Sequence, residues 1–439
     1  MMRPEILTPP PGPKARALIE RDRKLSSTSN SHPIPLVPES GEGVWLRDVD
    51  GNTYLDMMAG IAVNTTGHAH PAIVAAVTEQ SKKLMHTCST LFPHEPLPTL
   101  AERLINKLGG GYRCFFGNSG TEGVEAALKL ARYHTHRPYF MAFTGSFHGR
   151  SVGALSLTAS STKYRKGFGP MAYPVTHVPY PNMYRPVFGA SAETVGDAVL
   201  EHIRHLFRTS LPPEDVAAIV FEPVQGEGGY IVPPRGFLKG LQSLMAEYGI
   251  LVIADEVQTG VGRTGKFFAF EHEDMQTPDI VILAKGLASG YPISATLFKE
   301  KLNTWPVGAH GTTFGGNPVS AAAAMVTLDL VEAGLMSNAG ATGGYLIERM
   351  KDVAAEFPRL GDVRGRGMMI GLEFIADPKT KREDEALRDQ VMKACFEQGV
   401  LTLSAGPNAL RLAPPLILTR EQADIAVRTL ADVIGKACA

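Results

Sequence analysis

From about residue 70 onward, stretches with apolar positions at helical spacing alternate with short runs that are apolar on both faces. "AIVAAVTEQSKKL" (72–84) and "PTLAERLINKL" (98–108) carry the helical spacing. "RCFFGN" (113–118) reads as a strand, "TEGVEAALKLARYH" (121–134) as a helix and "PYFMAF" (138–143) as a second strand. "VAAIVFEPV" (216–224), "GILVIADEV" (249–257) and "DIVILAKG" (279–286) read as further strands. A helix, "GFLKGLQSLMAEYG" (236–249), lies between the first two, with Leu238, Leu241, Met245 and Tyr248 on one side. Uninterrupted apolar strands separated by helices imply a mainly parallel sheet with helices on both faces.

The ends read differently. Residues 1–40 are a proline-rich arm around a charged helix, Lys14 to Lys24, and "GVWLRDVDGNTYLDM" (43–57) is a hairpin turning at Asp50-Gly51. An alanine-rich helix from Pro318 to Ala333 leads to a C-terminal α/β segment, with a strand at 368–376, a helix at Leu387–Gln398 and a last helix from Arg420. The expected division is 1–69 for the arm and hairpin, 70–333 for the large domain and 334–439 for the C-terminal part of a small domain.

With 439 residues and a formal charge of −1, the chain has room for a large core and no electrostatic bias toward nucleic acid or an anionic membrane. No uninterrupted apolar run reaches the ~18 residues of a membrane span. Four dispersed cysteines without a C-x-x-C suggest buried, reduced thiols, and the expectation is a cytoplasmic protein.

"DEVQTGVGRTGKFF" (255–268) holds Gly260, Gly262 and Gly265 in G-x-G-x-x-G order, with Asp279 further on. A dinucleotide site needs its first glycine directly after the strand and a helix after its last, and neither holds here. A phosphate loop fails because Phe267 stands where Ser or Thr must be. His68-Ala-His70 and His134-Thr-His136 lack a third ligand at a recognisable spacing, so no metal is expected.

Three stretches point to chemistry. In "GNSGTEG" (117–123), Ser119 and Glu122 form an S-x-x-E capping box that starts a helix, leaving the N–H groups of Gly120 and Thr121 for an anion. In "VILAKGLASG" (281–290), Lys285 follows a strand among apolar and small residues; burial would lower its pKa and make it nucleophilic. Asp255 ends another apolar run one crossover earlier. Parallel strands end on one side, so an amine, a carboxylate and a phosphate cradle converge there and match the three handles of pyridoxal phosphate.

Taken together, these motifs resemble the class III (ω-amino) aminotransferases of pyridoxal-phosphate fold type I, and most of all the prokaryotic 4-aminobutyrate aminotransferases. The resemblance runs from "PGPKARALIE" to "LRLAPPL". It implies an aspartate-aminotransferase-like fold: a large, mainly parallel seven-stranded α/β domain plus a smaller α/β domain built from both chain ends. It also implies catalytic roles for Lys285 and Asp255. Cofactor contacts would come from Ser119, Gly120, Thr121, Phe147, His148, Glu222, Val257 and Gln258, and from Thr313 reaching the phosphate of a partner subunit. That makes a homodimer with composite sites, alone or as a dimer of dimers. Arg150 and Arg411 would hold substrate carboxylates, Glu227 would be the removable partner of Arg411, and Met57, Met58 and Ile61 would form an apolar mouth. The implied reaction moves the terminal amine of an ω-amino acid such as 4-aminobutyrate to 2-oxoglutarate. Ornithine or acetylornithine transamination, and racemisation or epimerisation of amino acids, are the alternatives.

Overall fold

A computed structural model describes residues 2–438. Its central sheet has seven strands in the order Tyr112–Gly117, Ser294–Lys299, Ile280–Leu283, Leu251–Asp255, Val216–Phe221, Tyr139–Phe143 and Val175–Val178. Ser294–Lys299 is antiparallel to both its neighbours and the remaining pairs are parallel. Tyr112–Gly117 therefore runs with the parallel strands, and its carboxyl end lies on the same edge as those of Leu251–Asp255 and Ile280–Leu283. The last two strands and Val216–Phe221 are buried at every position, which accounts for their unbroken apolar sequences. Alternate residues feed two cores: Phe143, Ile219, Val252 and Val281 on one face, Phe140, Val220, Ile253 and Ile282 on the other.

A second body of core joins the two ends of the chain. Trp45, Leu55 and Met57 pack in one cluster with Leu372, Phe374, Leu410 and Leu430. The hairpin strands Trp45–Asp48 and Thr53–Asp56 pair as expected, and Val400–Leu401 adds to the second strand in parallel.

Four expectations change. Ser294–Lys299 and Val175–Val178 carry no clear strand signal in the sequence, each being punctuated by polar residues. Met57 cannot line a pocket mouth, because it is fully buried in the second core. Only Cys395 of the cysteines is fully buried; the other three are partly exposed. Finally, the alanine-rich helix does not stop at Ala333. It passes from Pro318–Leu330 through a π-turn, Val331–Leu335, into Met336–Glu356. By length and composition this run could cross a membrane. Its apolar character comes largely from small residues, and it is a core element: Ala321, Ala324 and Leu328 pack in the first core, Ala339, Leu346 and Met350 in the second.

Candidate active site

Strand register lines up the chemistry. Asp255 pairs with Ile282, Leu283 with Ala295, and Ser294 with Gly117, so the ends carrying Asp255, Lys285 and the Gly120 turn stand side by side. Lys285 sits at φ +36°, a left-handed conformation that costs a non-glycine residue energy and must be held by its surroundings. The surroundings are visible. Thr65 Oγ1 donates to the Gly286 carbonyl at 3.0 Å, and the Thr66 N–H donates to Ser289 Oγ at 2.9 Å. A Cβ on Gly286 would come within 2.6 Å of Thr65 Oγ1, so only glycine admits this contact. These threonines follow another strained turn, in which Ala59, Gly60, Ile61 and Ala62 all have positive φ; Ile61 is exposed there. Burial pushes the Lys285 ammonium down to about 8 and the Arg411 charge adds to the effect, while Asp255, Glu222 and Glu227 oppose it.

Asp255 is held at both oxygens. His148 Nδ1 lies 2.6 Å from Oδ2, and the Val257 N–H donates to Oδ1 at 3.1 Å. Burial works against a charged His148, but the hydrogen bond and charge of Asp255 outweigh it and raise its pKa. Glu222 accepts from the Phe147 N–H at 3.1 Å and the Gly226 N–H at 2.8 Å, and burial lifts its carboxyl to about 7. The Tyr230 hydroxyl donates to Gln258 Oε1 at 2.7 Å. Tyr230 was not anticipated, although its place three residues after Glu227 could have flagged it.

The helix Gly120–Thr135 begins as the capping box requires, with one difference. Ser119 Oγ accepts from the Glu122 N–H at 3.4 Å, but the Glu122 carboxylate returns to the Asn118 N–H at 2.8 Å, one residue before the cap. The Ser119 hydroxyl is thus spent on the cap. The Thr121 hydroxyl is drawn to Ser151, 2.5 Å away, whose own hydroxyl donates to Glu125 at 2.6 Å. What this turn presents to an anion is its backbone. A Cβ on Gly120 would lie 2.8 Å from Val257 Cγ1, which brings the turn against the residue two beyond Asp255. Thr313 is different: it is exposed, on a segment pinned by Ser89 and Thr90, and its hydroxyl has no partner among the described residues.

At the substrate end, Arg411 Nη2 donates to Glu227 Oε2 at 3.1 Å, while its buried Nε has no partner among the described residues. Arg150 is exposed, its guanidinium 4.8 Å over the Tyr164 ring and 5.8 Å from that of Phe147. Tyr164, whose hydroxyl donates to Glu227 Oε1 at 3.0 Å, has no sequence signal. The rejected motifs lie elsewhere. No α-helix follows Gly265, and Asp279 sits at the opposite strand end, paired with Lys299 at 3.0 Å. His68 pairs with Asp56 at 2.8 Å, and His70 caps the helix Pro71–Lys83.

The family model "Aminotransferase class-III" matches residues 26–434. The chain is a class III aminotransferase. It is 37% identical to the alanine/serine racemase of Pyrococcus horikoshii, over 97% of this chain and 92% of that one. It is 41% identical to the acetylornithine aminotransferase of Corynebacterium efficiens, over 94% and 95% of the two chains. To the 4-aminobutyrate aminotransferase of Mycobacterium tuberculosis it is 38% identical, over 98% of each. Its fold is that of an amine transaminase from an uncultivated Pseudomonas species, solved with pyridoxal phosphate bound. The TM-score is 0.89 at 30% identity, covering 94% of this chain and 98% of that one. The architecture is fold type I, and the cofactor of this aminotransferase is pyridoxal 5'-phosphate.

The aminotransferase has the donor set this cofactor needs. An amine near neutrality, a carboxylate fixed at both oxygens and a helix start with free N–H groups stand on one sheet edge. The phosphate would fall to the Gly120 and Thr121 N–H groups, the ring nitrogen to Asp255, and the aldehyde to Lys285.

Proposed function

We propose that this aminotransferase transfers the terminal amino group of a short ω-amino acid, of the 4-aminobutyrate class, to 2-oxoglutarate, giving a semialdehyde and glutamate. The observation that carries the reading is the Glu227–Arg411 pair, close enough for both its charges to act on Lys285. An enzyme serving an ω-amine and an α-amino acid in turn must cover a carboxylate-binding arginine in one half-reaction and expose it in the other. A single carboxylate on Arg411 does both, because a substrate α-carboxylate can take the same donors in bidentate form. Arg150, exposed at the other end, would take the distal carboxylate.

The bound cofactor supplies an electron sink that stabilises a carbanion next to nitrogen. The chain supplies the rest. Lys285, with a pKa of about 8, is ready to accept a proton from the carbon bearing the amine and return it elsewhere. Asp255, fixed by His148, would keep a negative charge at the ring nitrogen, and Glu222 supports that network from the Phe147 side. Gln258 would stand near the ring hydroxyl, with Phe147 and Val257 as the two walls.

The reading includes a homodimer in which Thr313 reaches the partner's phosphate. Its support is that Met85, Leu91, Phe92, Val307 and Phe314, on segments next to that residue, are all exposed, and clustered exposed apolar side chains mark an interaction surface. Domain limits near 69 and 333 and a cytoplasmic setting belong to the same reading. The test is a panel of amino donors (4-aminobutyrate, ornithine, acetylornithine, D- and L-α-amino acids), each with and without 2-oxoglutarate and with product chirality recorded. Amine transfer from 4-aminobutyrate that requires 2-oxoglutarate supports the reading. Inversion of an α-amino acid without any acceptor, and no transfer from ω-amines, overturns it in favour of a racemase.

A further inference from the structure

Tyr164 lies on a short 3-10 turn, Thr162–Tyr164, beyond the helix Val152–Leu157. Arg165 ties the turn back to that helix by donating to the carbonyls of Ser156 at 3.1 Å and Thr158 at 2.8 Å. The tyrosine ring is fixed on two sides: Phe147 packs edge-on at 5.5 Å, and the Arg150 guanidinium lies 4.8 Å over its face. This placement delivers its hydroxyl to Glu227 Oε1 at 3.0 Å, while Arg411 holds Oε2 at 3.1 Å. One carboxylate therefore joins a phenol and a guanidinium, one oxygen to each.

The backbone beneath Glu227 is held separately. The Gly406 N–H donates to the Glu227 carbonyl at 2.6 Å, and Arg364 donates twice to the Gly229 carbonyl, at 2.7 and 3.0 Å. Uncovering Arg411 is then a side-chain rotation and needs no loop movement. A rotation that frees Arg411 gives up the guanidinium contact and also moves Oε1 off the phenol. An arriving carboxylate replaces only the first of these.

We propose that Tyr164 is a positioning residue that sets how readily Glu227 yields Arg411 to a substrate α-carboxylate, and so sets the balance between the ω-amine and α-amino acid half-reactions. This rests on the function proposed above. The Tyr164 hydroxyl keeps Arg411 covered when the reacting end of the substrate has no carboxylate, and adds to the work an α-carboxylate must do to displace Glu227. Because Glu227 retains 24% side-chain exposure, water can take over part of the phenol's role. The expected effect is accordingly that of an ordinary hydrogen bond, below that of one to a fully buried charge: roughly three- to tenfold.

The experiment uses the holoenzyme as wild type, Tyr164→Phe, Glu227→Gln and the double variant. Tyr164→Phe keeps the ring and its packing and removes only the hydroxyl. Two readouts are taken: kcat and KM for the 4-aminobutyrate and L-glutamate half-reactions separately, and the Kd of glutarate by calorimetry. Glutarate is a dicarboxylate of the right length with no amine to react. For Tyr164→Phe, kcat/KM for 4-aminobutyrate should fall about three- to tenfold without a fall for glutamate, and glutarate should bind about three- to tenfold tighter. Added to Glu227→Gln, the change should do nothing further. Equal losses in both half-reactions, unchanged glutarate affinity, or a full Tyr164→Phe effect in the Glu227→Gln background would each overturn the proposal while leaving the function standing. A wild type that takes no amine from any ω-amino donor would overturn both.

Discussion

The most direct consequence of the site's electrostatics concerns the amine of Lys285 in the cofactor-free protein. With its pKa brought to about 8, about 9% of that amine is neutral at pH 7. An ordinary lysine at 10.5 is about 0.03% neutral, so the site raises the reactive fraction roughly 300-fold. Competitive labelling with acetic anhydride between pH 6 and 11 measures this fraction, with the Lys285 peptide quantified against exposed lysines by mass spectrometry. Labelling of Lys285 should rise tenfold per pH unit to about 8 and then level, well short of the 10.5 of an ordinary lysine. The causes can be separated as well. Arg411→Met removes a cation and should move the midpoint up; Glu227→Gln removes an anion and should move it down. A Lys285 profile superimposable on those of the surface lysines would refute the reasoning, whatever activity the enzyme shows.

Three other outcomes follow from the same structure. Glu227→Gln leaves a buried arginine without its carboxylate, so kcat/KM for 4-aminobutyrate should fall roughly 10- to 100-fold while KM for 2-oxoglutarate does not rise; parallel losses in both half-reactions would argue against a removable pair. His148→Ala takes away the 2.6 Å partner of Asp255 and should weaken retention of pyridoxal phosphate at least about tenfold, read as cofactor loss on dialysis. Glu256, fully buried and bonded to Thr259 and the Phe270 N–H, has its carboxyl raised to about 7 by burial. The folded chain therefore binds that proton more tightly than the unfolded one. Stability is full below the unfolded value and is lost as pH rises toward 7, by roughly 3 kcal/mol in all. Glu256→Gln stays neutral and should reduce the fall in Tm between pH 5 and pH 8, leaving the share carried by Glu222, whose carboxyl is also raised to about 7; an unchanged fall would show that Glu256 carries none of it.

The parts of the site that could be read from the sequence are those whose reason is local. Asp255 and Lys285 stand out because each closes a run buried on both faces, where a charged side chain needs a purpose. The Gly120 turn stands out because a cap has a four-residue signature. Tyr164, Ser151 and Thr65 do not, since each matters through a partner distant in sequence: Glu227, Thr121 and the Gly286 carbonyl. Pattern also misled where two explanations share it. Met57 is apolar near Ile61, yet it belongs to the second core, because the chain turns left-handed between them and sends only Ile61 outward.

Strand direction alone brings these groups to one edge of the sheet, but register decides whether they meet. Asp255 reaches the site because it is level with Ile282, and the Gly120 turn because Gly117 is level with Ser294, on a strand the sequence did not reveal. A slip of one residue in either pairing would turn a side chain to the opposite face of the sheet. Gly123 illustrates how closely this edge is set. A Cβ there would stand 2.7 Å from Ile282 Cγ2 and 3.3 Å from Thr296 Oγ1. The helix that presents the phosphate turn is thus packed directly onto the two strands between Gly117 and Asp255. The distance between the anion cradle and the acid is therefore set by strand register and by the close seat of Gly123 on the Ile282 and Thr296 side chains.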